Sequence, residues 1–115
     1  MTIDQIVGDY ILTDGQVISL NIYFKDEPSA IVTLKARKRN SDNSIGDVII
    51  DLRLNSLTHF DTLEDFESEY YSDLTLTRLA NGEYYLSFDP YDNSNHPNER
   101  DNFVFKCKNL TTSEK

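Results

Sequence analysis

The most concentrated chemistry in the sequence lies in residues 61–73, which we call the acidic segment. It contains six carboxylates, no lysine or arginine, and a pair of adjacent tyrosines. Carboxylates steer a cationic protein, and a tyrosine ring supplies contact area, so the pattern favours a protein-docking surface. The predicted partner-binding residues are Asp61, Glu64, Asp65, Glu67, Glu69, Tyr70, Tyr71 and Asp73. The alternative interpretation is a solvated charged loop that serves solubility alone.

The residue types that most often perform catalysis are few and poorly placed. His59 and His96 are the only histidines, so no His-x-x-x-His pair can bind zinc, and four scattered glycines form no phosphate-binding loop. Cys107 alternates with Phe103 and Phe105, which predicts a buried, unreactive thiol. We therefore expect no enzyme activity, no catalytic residue, no metal site and no cofactor.

A second polar stretch, residues 89–101, is rich in oxygen ligands for a cation. Its spacing lacks the central glycine and closing glutamate of an EF-hand calcium loop. Prolines at positions 90 and 97, and Asx turns at Asp89 and Asp92, instead predict a shaped surface loop.

Net charge narrows the class of partner. The 115 residues include 20 acidic and 11 basic side chains, a formal charge of −9. Such a molecule repels nucleic acid and anionic membranes and attracts a basic protein, which is the partner that we expect. The sequence has one basic cluster, which comprises Lys35, Arg37, Lys38 and Arg39. We interpret these residues as a charged face exposed to solvent, or as partners of Asp51 or of the acidic segment in intramolecular ion pairs.

The cellular setting is also suggested by composition. The first residues resemble no signal peptide, and no apolar run reaches the length of about 18 residues that a membrane span needs. One cysteine excludes an intrachain disulfide. We expect a cytoplasmic protein in a reducing compartment.

The candidate site residues must be positioned by β-strands, which the sequence predicts from its alternating apolar residues. Period-two alternation predicts strands at residues 17–24, 30–38, 48–54, 74–79, 83–88 and 102–108, with 57–60 as a short continuation. In the strand at 48–54, Asp51 and Arg53 are expected to face water. Type I′ hairpin turns are predicted at both Asn81-Gly82 and Asp14-Gly15.

Helical signal is thin. Thr2 and Gln5 have the spacing of a capping box, and residues 62–71 could form one turn. Residues 39–46 are expected to form a hairpin loop, and residues 111–115 a frayed tail. The fold class expected for the single domain, 1–115, is mainly β. It is an antiparallel β-sandwich or half-open barrel of about seven strands, with at most two short helical turns.

The order of these parts resembles a known family. Residues 17–24, 30–38 and 48–60, followed by 84–92 and 101–108, resemble small acidic β-sheet immunity proteins. Such proteins belong to bacterial polymorphic-toxin and contact-dependent-inhibition systems. The resemblance implies a cytoplasmic, non-enzymatic protein that covers the active site of a toxin domain.

Two other functions stay open. One is a structural or assembly subunit of a phage or secretion system, because edge strands pair readily between chains. The other is a small-ligand carrier whose barrel interior is lined by Tyr84, Phe88, Phe103 and Phe105. A monomer or small homo-oligomer is expected.

Overall fold

Seven strands form one antiparallel sheet in the computed structural model, which describes residues 2–62 and 70–115. The elements are α1 Ile3–Asp9, β1 Tyr10–Tyr23, β2 Ser29–Arg39, β3 Ile45–Asp61, β4 Tyr70–Tyr71, β5 Thr75–Arg78, β6 Tyr84–Asp89 and β7 Asn102–Glu114. Their order across the sheet is β4-β1-β2-β3-β7-β6-β5.

The sheet curls because its two edges are neighbours in the sequence. β4 and β5 lie at opposite edges, yet only residues 72–74 separate them. The rings of Tyr71 in β4 and Phe88 in β6 meet across the interior, with centroids 5.2 Å apart. The mainly β prediction is confirmed, and of the two predicted architectures the half-open barrel is the one observed.

The core lies on the concave face, where the alternating apolar residues converge. Val32 and Leu34 in β2, and Ile50 and Leu52 in β3, have no exposed surface. Burying each such side chain contributes about 1.5–3 kcal/mol. The inward faces predicted for the strands at 30–38 and 48–54 are therefore confirmed.

β1 is one long strand, so the predicted chain reversal at Asp14 and Gly15 is wrong. Its pairing with β2 shifts register between Ile11 and Gln16, and Asp14 has a φ of 53°. The backbone N–H of Asp14 donates to the carbonyl of Ser72 at 2.7 Å. The residues that favour a turn instead form a bulge, which ties β1 to the chain after β4.

The hairpin between β5 and β6 is confirmed, but its predicted type I′ turn is wrong. Gly82 has a φ of 89°, whereas Asn81 is not among the described residues with positive φ. The N–H of Gly82 donates to Leu79 at 2.9 Å, and the N–H of Leu79 donates to Glu83 at 2.8 Å. This pattern is typical of a three-residue loop that ends in a left-handed glycine.

Helix α1 begins with the predicted capping box. The N–H of Gln5 donates to the Thr2 hydroxyl at 3.2 Å, and the N–H of Thr2 donates to the Gln5 side chain at 2.8 Å. Seven residues are too few for an independent helix. Ile6, which is fully buried, attaches α1 to the core.

The residues predicted as a frayed tail instead complete β7. Ile50 to Arg53 of β3 pair with the last four residues of that strand. The Glu114 carboxylate accepts hydrogen bonds from the Lys38 ammonium at 2.8 Å and from the Tyr10 hydroxyl at 3.0 Å. These contacts order the end of the strand. The polar stretch at 39–46 forms a hairpin loop over residues 40–44, whereas most of the predicted turn at 62–71 lies outside the described residues.

Candidate partner-binding surface

The structure describes the two ends of the acidic segment, residues 61–62 and 70–73. Asp61 is the last residue of β3, Tyr70 and Tyr71 form β4, and Asp73 follows it. Asp61, Tyr70 and Asp73 are exposed. Four of the predicted partner-binding residues lie outside the described residues: Glu64, Asp65, Glu67 and Glu69.

The two tyrosines point to opposite faces of the sheet. Tyr70 is 64% exposed and Tyr71 only 6%. Successive strand residues alternate in direction, so a pair of adjacent tyrosines cannot both face a partner. Burial raises the pKa of the Tyr71 phenol. Tyr71 is a core residue, which corrects its predicted role as a surface contact, whereas Tyr70 keeps the exposure that the prediction requires.

Gly15 makes room for the buried tyrosine. It pairs with Tyr71 across the β1–β4 ladder. A Cβ atom at Gly15 would lie 2.6 Å from the Tyr71 hydroxyl and 2.9 Å from the carbonyl oxygen of Lys35. Glycine is therefore required here for close approach of a ring.

Tyr70 lies in a shallow depression of about 250 Å³. Asp14 and Asp47 bring two carboxylates to its wall, and Lys35 and Arg37 bring two cations. The Lys35 ammonium lies 3.9 Å from the Asp47 carboxylate. The depression therefore carries two negative and two positive side chains around the Tyr70 ring, so it has no net charge of its own.

The basic cluster is engaged within the chain. Besides the Lys35–Asp47 pair, Lys38 binds Glu114 as described above. The Arg37 guanidinium donates to the carbonyl of Thr13 at 3.1 Å, and that of Arg39 to the carbonyl of Val7 at 3.3 Å. These contacts fit the interpretation as a charged face and the prediction of intramolecular pairing, although the partners differ from those predicted.

Asp51 is not one of those partners. Its carboxylate accepts a hydrogen bond from the Thr33 hydroxyl at 2.6 Å, and Asp51 is 9% exposed on the outer face of the sheet. The expectation that Asp51 points to water is therefore wrong. The cross-strand neighbour Thr33 satisfies it instead, at a position where β2 and β3 are in direct register.

Most of the acidic surface has no cation beside it. Asp47 and Glu114 are the only carboxylates in residues 2–62 and 70–115 within 4.0 Å of a lysine or arginine nitrogen. Asp14, Asp61 and Asp73 have no such partner in that part of the chain. The anionic character inferred from composition is thus present as exposed, unneutralised charge.

A second cleft, of about 270 Å³, lies on the outer face beneath the loop at 90–101. Cross-strand pairing sets Tyr85, Lys106 and His59 in one row across β6, β7 and β3. Asp61 and Glu99 also line the cleft. The cleft carries charges of both signs, and one of its residues, Asp61, also belongs to the acidic segment.

A single buried carboxylate holds this loop in place. Asp101, 3% exposed, accepts hydrogen bonds from the Tyr85 hydroxyl at 2.7 Å, the Tyr91 N–H at 2.8 Å and the Asn98 N–H at 2.9 Å. Burial, followed by the bond to Asp101, raises the pKa of Tyr85. The loop and the Asx turn at Asp92 were predicted, but the role of Asp101 was missed, since nothing in the sequence sets it apart from its neighbours.

The remaining candidate chemistry falls in the core. Cys107 is 1% exposed, and burial raises the pKa of its thiol to about 12, as expected for an unreactive cysteine. Phe88, Phe103 and Phe105 pack edge to face, with centroids 5.5–6.3 Å apart. In the described part of the chain, no group of three His, Cys, Asp or Glu side chains is placed to hold a metal ion.

The fold is a curled antiparallel half-barrel, and the described ends of the acidic segment expose Asp61, Tyr70 and Asp73. No family model, curated protein or solved structure matches the chain. None of the helices in the described residues has the length and apolar character to cross a membrane.

Proposed function

We propose that this protein is a non-enzymatic binding module that docks a basic protein, as an immunity or inhibitor protein docks a toxin or nuclease domain. The observation that carries the proposal is exposed acidic charge together with an exposed ring. Asp61 and Asp73 are exposed and have no Lys or Arg nitrogen within 4.0 Å in the described residues, and Tyr70 is 64% exposed.

Charge of this kind acts mainly on association. Unneutralised carboxylates attract a cationic partner over a distance of about one Debye length, which is about 8 Å at physiological salt. Electrostatic steering raises the association rate more than it raises the affinity. A protein with a net charge of −9 is therefore suited to capture a basic partner quickly.

Tyr70 supplies what charge alone does not. Its ring is exposed, and its position is fixed because it pairs with Gln16 and precedes the buried Tyr71. Tyrosines held in this way are typical of the residues that dominate interface energies. We assign Tyr70 as the anchor and the exposed carboxylates of Asp61 and Asp73 as the steering charges.

The setting of the proposed function is the cytoplasm. Cys107 is unpaired and buried, which fits a reducing compartment. The proposed mode of action is coverage of the partner's active site by contact, with no reaction on this chain.

Matched variants test the proposal. The wild-type protein is used to capture partners from a lysate of the source cells at low salt, beside Asp61→Lys/Asp73→Lys and a control, Asp4→Lys/Asp9→Lys. Both pairs are exposed and change the net charge equally. A stoichiometric basic protein should be retained by wild type and control but lost from the first variant.

Kinetics with the purified partner then separate the two roles. Asp61→Lys/Asp73→Lys should slow association, whereas Tyr70→Ala should speed dissociation by about tenfold, as expected for a loss of about 1.4 kcal/mol. Tyr91→Ala removes another exposed ring, 56% accessible, and serves as the control. Equal binding by the Asp61/Asp73 and Asp4/Asp9 variants, or no stoichiometric partner at any salt concentration, would refute the proposal.

A further inference from the structure

One asparagine in the sequence is followed by glycine. The chain has four glycines, and only Gly82 follows an asparagine, which is Asn81. In such a pair the backbone nitrogen of the glycine can attack the side-chain carbonyl carbon of the asparagine, because glycine has no Cβ to hinder the approach. Asn81 is exposed in the loop between β5 and β6, so water reaches it. The pair therefore has the groups needed for spontaneous deamidation.

This reaction uses only the two residues and water. A bond forms between the Gly82 nitrogen and Cγ of Asn81, the bond from Cγ to Nδ2 breaks, and ammonia leaves with the proton of the Gly82 N–H. Water then opens the resulting cyclic imide to aspartate or isoaspartate at position 81. In total, an amide and water become a carboxylic acid and ammonia.

The attacking nitrogen is engaged in the folded hairpin. The N–H of Gly82 donates to the carbonyl of Leu79 at 2.9 Å, and the carbonyl of Gly82 accepts from the Arg78 guanidinium at 3.0 Å. Attack requires the Gly82 nitrogen to give up its proton, so its hydrogen bond to Leu79 must open first. The backbone of the hairpin therefore opposes the reaction.

The side-chain amide is engaged as well, by Glu83. The Asn81 amide oxygen accepts from the N–H of Glu83 at 3.0 Å, and its NH₂ group donates to the Glu83 carboxylate at 2.6 Å. This carboxylate also accepts from the Thr58 hydroxyl of β3. Hydrogen bonds from Thr58 and then from Asn81 lower the pKa of Glu83, so its carboxylate is ionised at neutral pH and has no proton to give to departing ammonia.

We propose that Asn81 is the site at which this protein deamidates first once unfolded, and that Glu83 slows the reaction in the folded state. The inference is independent of the proposed function. Reaction then proceeds only from a locally opened hairpin, so its rate falls by the factor by which opening is disfavoured. Hydrogen bonds of ordinary net strength at Gly82 and at both ends of the Asn81 amide slow the reaction at least about tenfold.

Deamidation changes the end of the hairpin. An aspartate at position 81 has no N–H group to donate to Glu83 and places a second carboxylate beside it. Isoaspartate also lengthens the backbone of the loop. Either product removes the Asn81–Glu83 hydrogen bond at the residue that connects the hairpin to Thr58 of β3.

Peptide mapping of the whole protein tests the site. Wild type is kept at mildly alkaline pH, both native and in unfolding urea, then digested at acidic pH and analysed by mass spectrometry. In urea, Asn81 should convert faster than Asn43 and Asn93, which both precede serines. Conversion of Asn81 should be at least about tenfold slower in the native protein than in urea. Faster conversion of Asn43 or Asn93 in urea, or equal rates for Asn81 in the two conditions, overturns the proposal.

Variants test the role of Glu83. Glu83→Ala should speed conversion of Asn81 in the native protein at least about threefold, as expected for the loss of one hydrogen bond, and leave the rate in urea unchanged. Glu27→Ala, at another exposed glutamate, is the control and should match wild type in both conditions. Asn93 serves as an internal reference, since a general loss of structure does not act on Asn81 alone. A native rate at Asn81 equal to that of wild type, or an equal increase at Asn93, shows that Glu83 does not slow the reaction.

Discussion

Replacing Gly15 with alanine tests the packing that sets the direction of the two tyrosines. The added Cβ would lie 2.6 Å from the Tyr71 hydroxyl, 2.8 Å from Cζ of the same ring and 2.9 Å from the Lys35 carbonyl oxygen. The carbonyl belongs to the β2 ladder, and the ring packs on Phe88. Neither neighbour can move without disturbing the sheet or the core.

The expected cost follows from two opposing effects. Overpacking of this kind costs about 1–3 kcal/mol, whereas replacing glycine by alanine restricts the unfolded chain and stabilises by about 0.4–1 kcal/mol. The net expectation is a loss of about 1–2 kcal/mol in the free energy of unfolding. With a urea dependence of about 1–3 kcal/mol per molar, the midpoint falls by about 1 M.

Urea unfolding of paired variants checks the assignment. Gly8→Ala is the control, since no atom lies within 4 Å of a Cβ at that helical position, and it should stabilise the protein. Tyr71→Phe removes the hydroxyl oxygen, which is the atom nearest to the added Cβ and has no hydrogen-bond partner in the described residues. Combined with Gly15→Ala, it should recover part of the lost stability. If Gly15→Ala is as stable as Gly8→Ala, or equally destabilising with and without the Tyr71 hydroxyl, the packing argument is wrong.

Two further predictions concern carboxylates that hold elements together. Asp101→Asn retains one acceptor oxygen for three donors, so it should lower the free energy of unfolding by about 1.5–3 kcal/mol in urea titrations, while the exposed Asp92→Asn should cost much less. Hydrogen bonds from Lys38 and Tyr10 lower the pKa of Glu114, so its stabilising contribution is present above the ordinary glutamate pKa and is lost as pH falls through the lowered value. Wild type and Glu114→Gln should therefore differ in stability at neutral pH and converge in acid; a difference that is independent of pH would contradict this linkage.

Alternation of apolar residues was enough to predict the sheet, because a buried face needs period two whatever the strand order is. Local patterns failed where a residue that favours a turn is used instead for a contact with a distant strand. Asp14 and Gly15 favour a turn in isolation, but here the glycine accommodates a ring from β4 and the aspartate binds the chain at Ser72. Both partners lie more than fifty residues away in the sequence, so no local pattern reports them.

The same limit applied to the surface. Asp51 and Tyr71 were expected to be exposed because charged and hydroxyl groups favour water. Instead, Asp51 is buried on the outer face beside Thr33, and Tyr71 is buried in the core, where Gly15 leaves room for its ring. Composition gives the excess of acidic residues directly. It could not predict that the basic cluster would contact oxygens of the chain, because those contacts depend on which strands are neighbours.

The burial of Tyr71 has a functional consequence under the proposed function. β4 is two residues long, so fixing the inward ring between Gly15 and Phe88 also fixes the outward direction of Tyr70. A contact residue whose direction is set in advance loses less conformational freedom on binding, and that saving appears as affinity. Gly15→Ala displaces the Tyr71 ring and removes no atom of Tyr70, so it should speed dissociation of the partner if the direction of Tyr70 matters. Dissociation as slow as that of the wild type, from a Gly15→Ala protein that has lost stability, would show that the direction of Tyr70 does not depend on Tyr71.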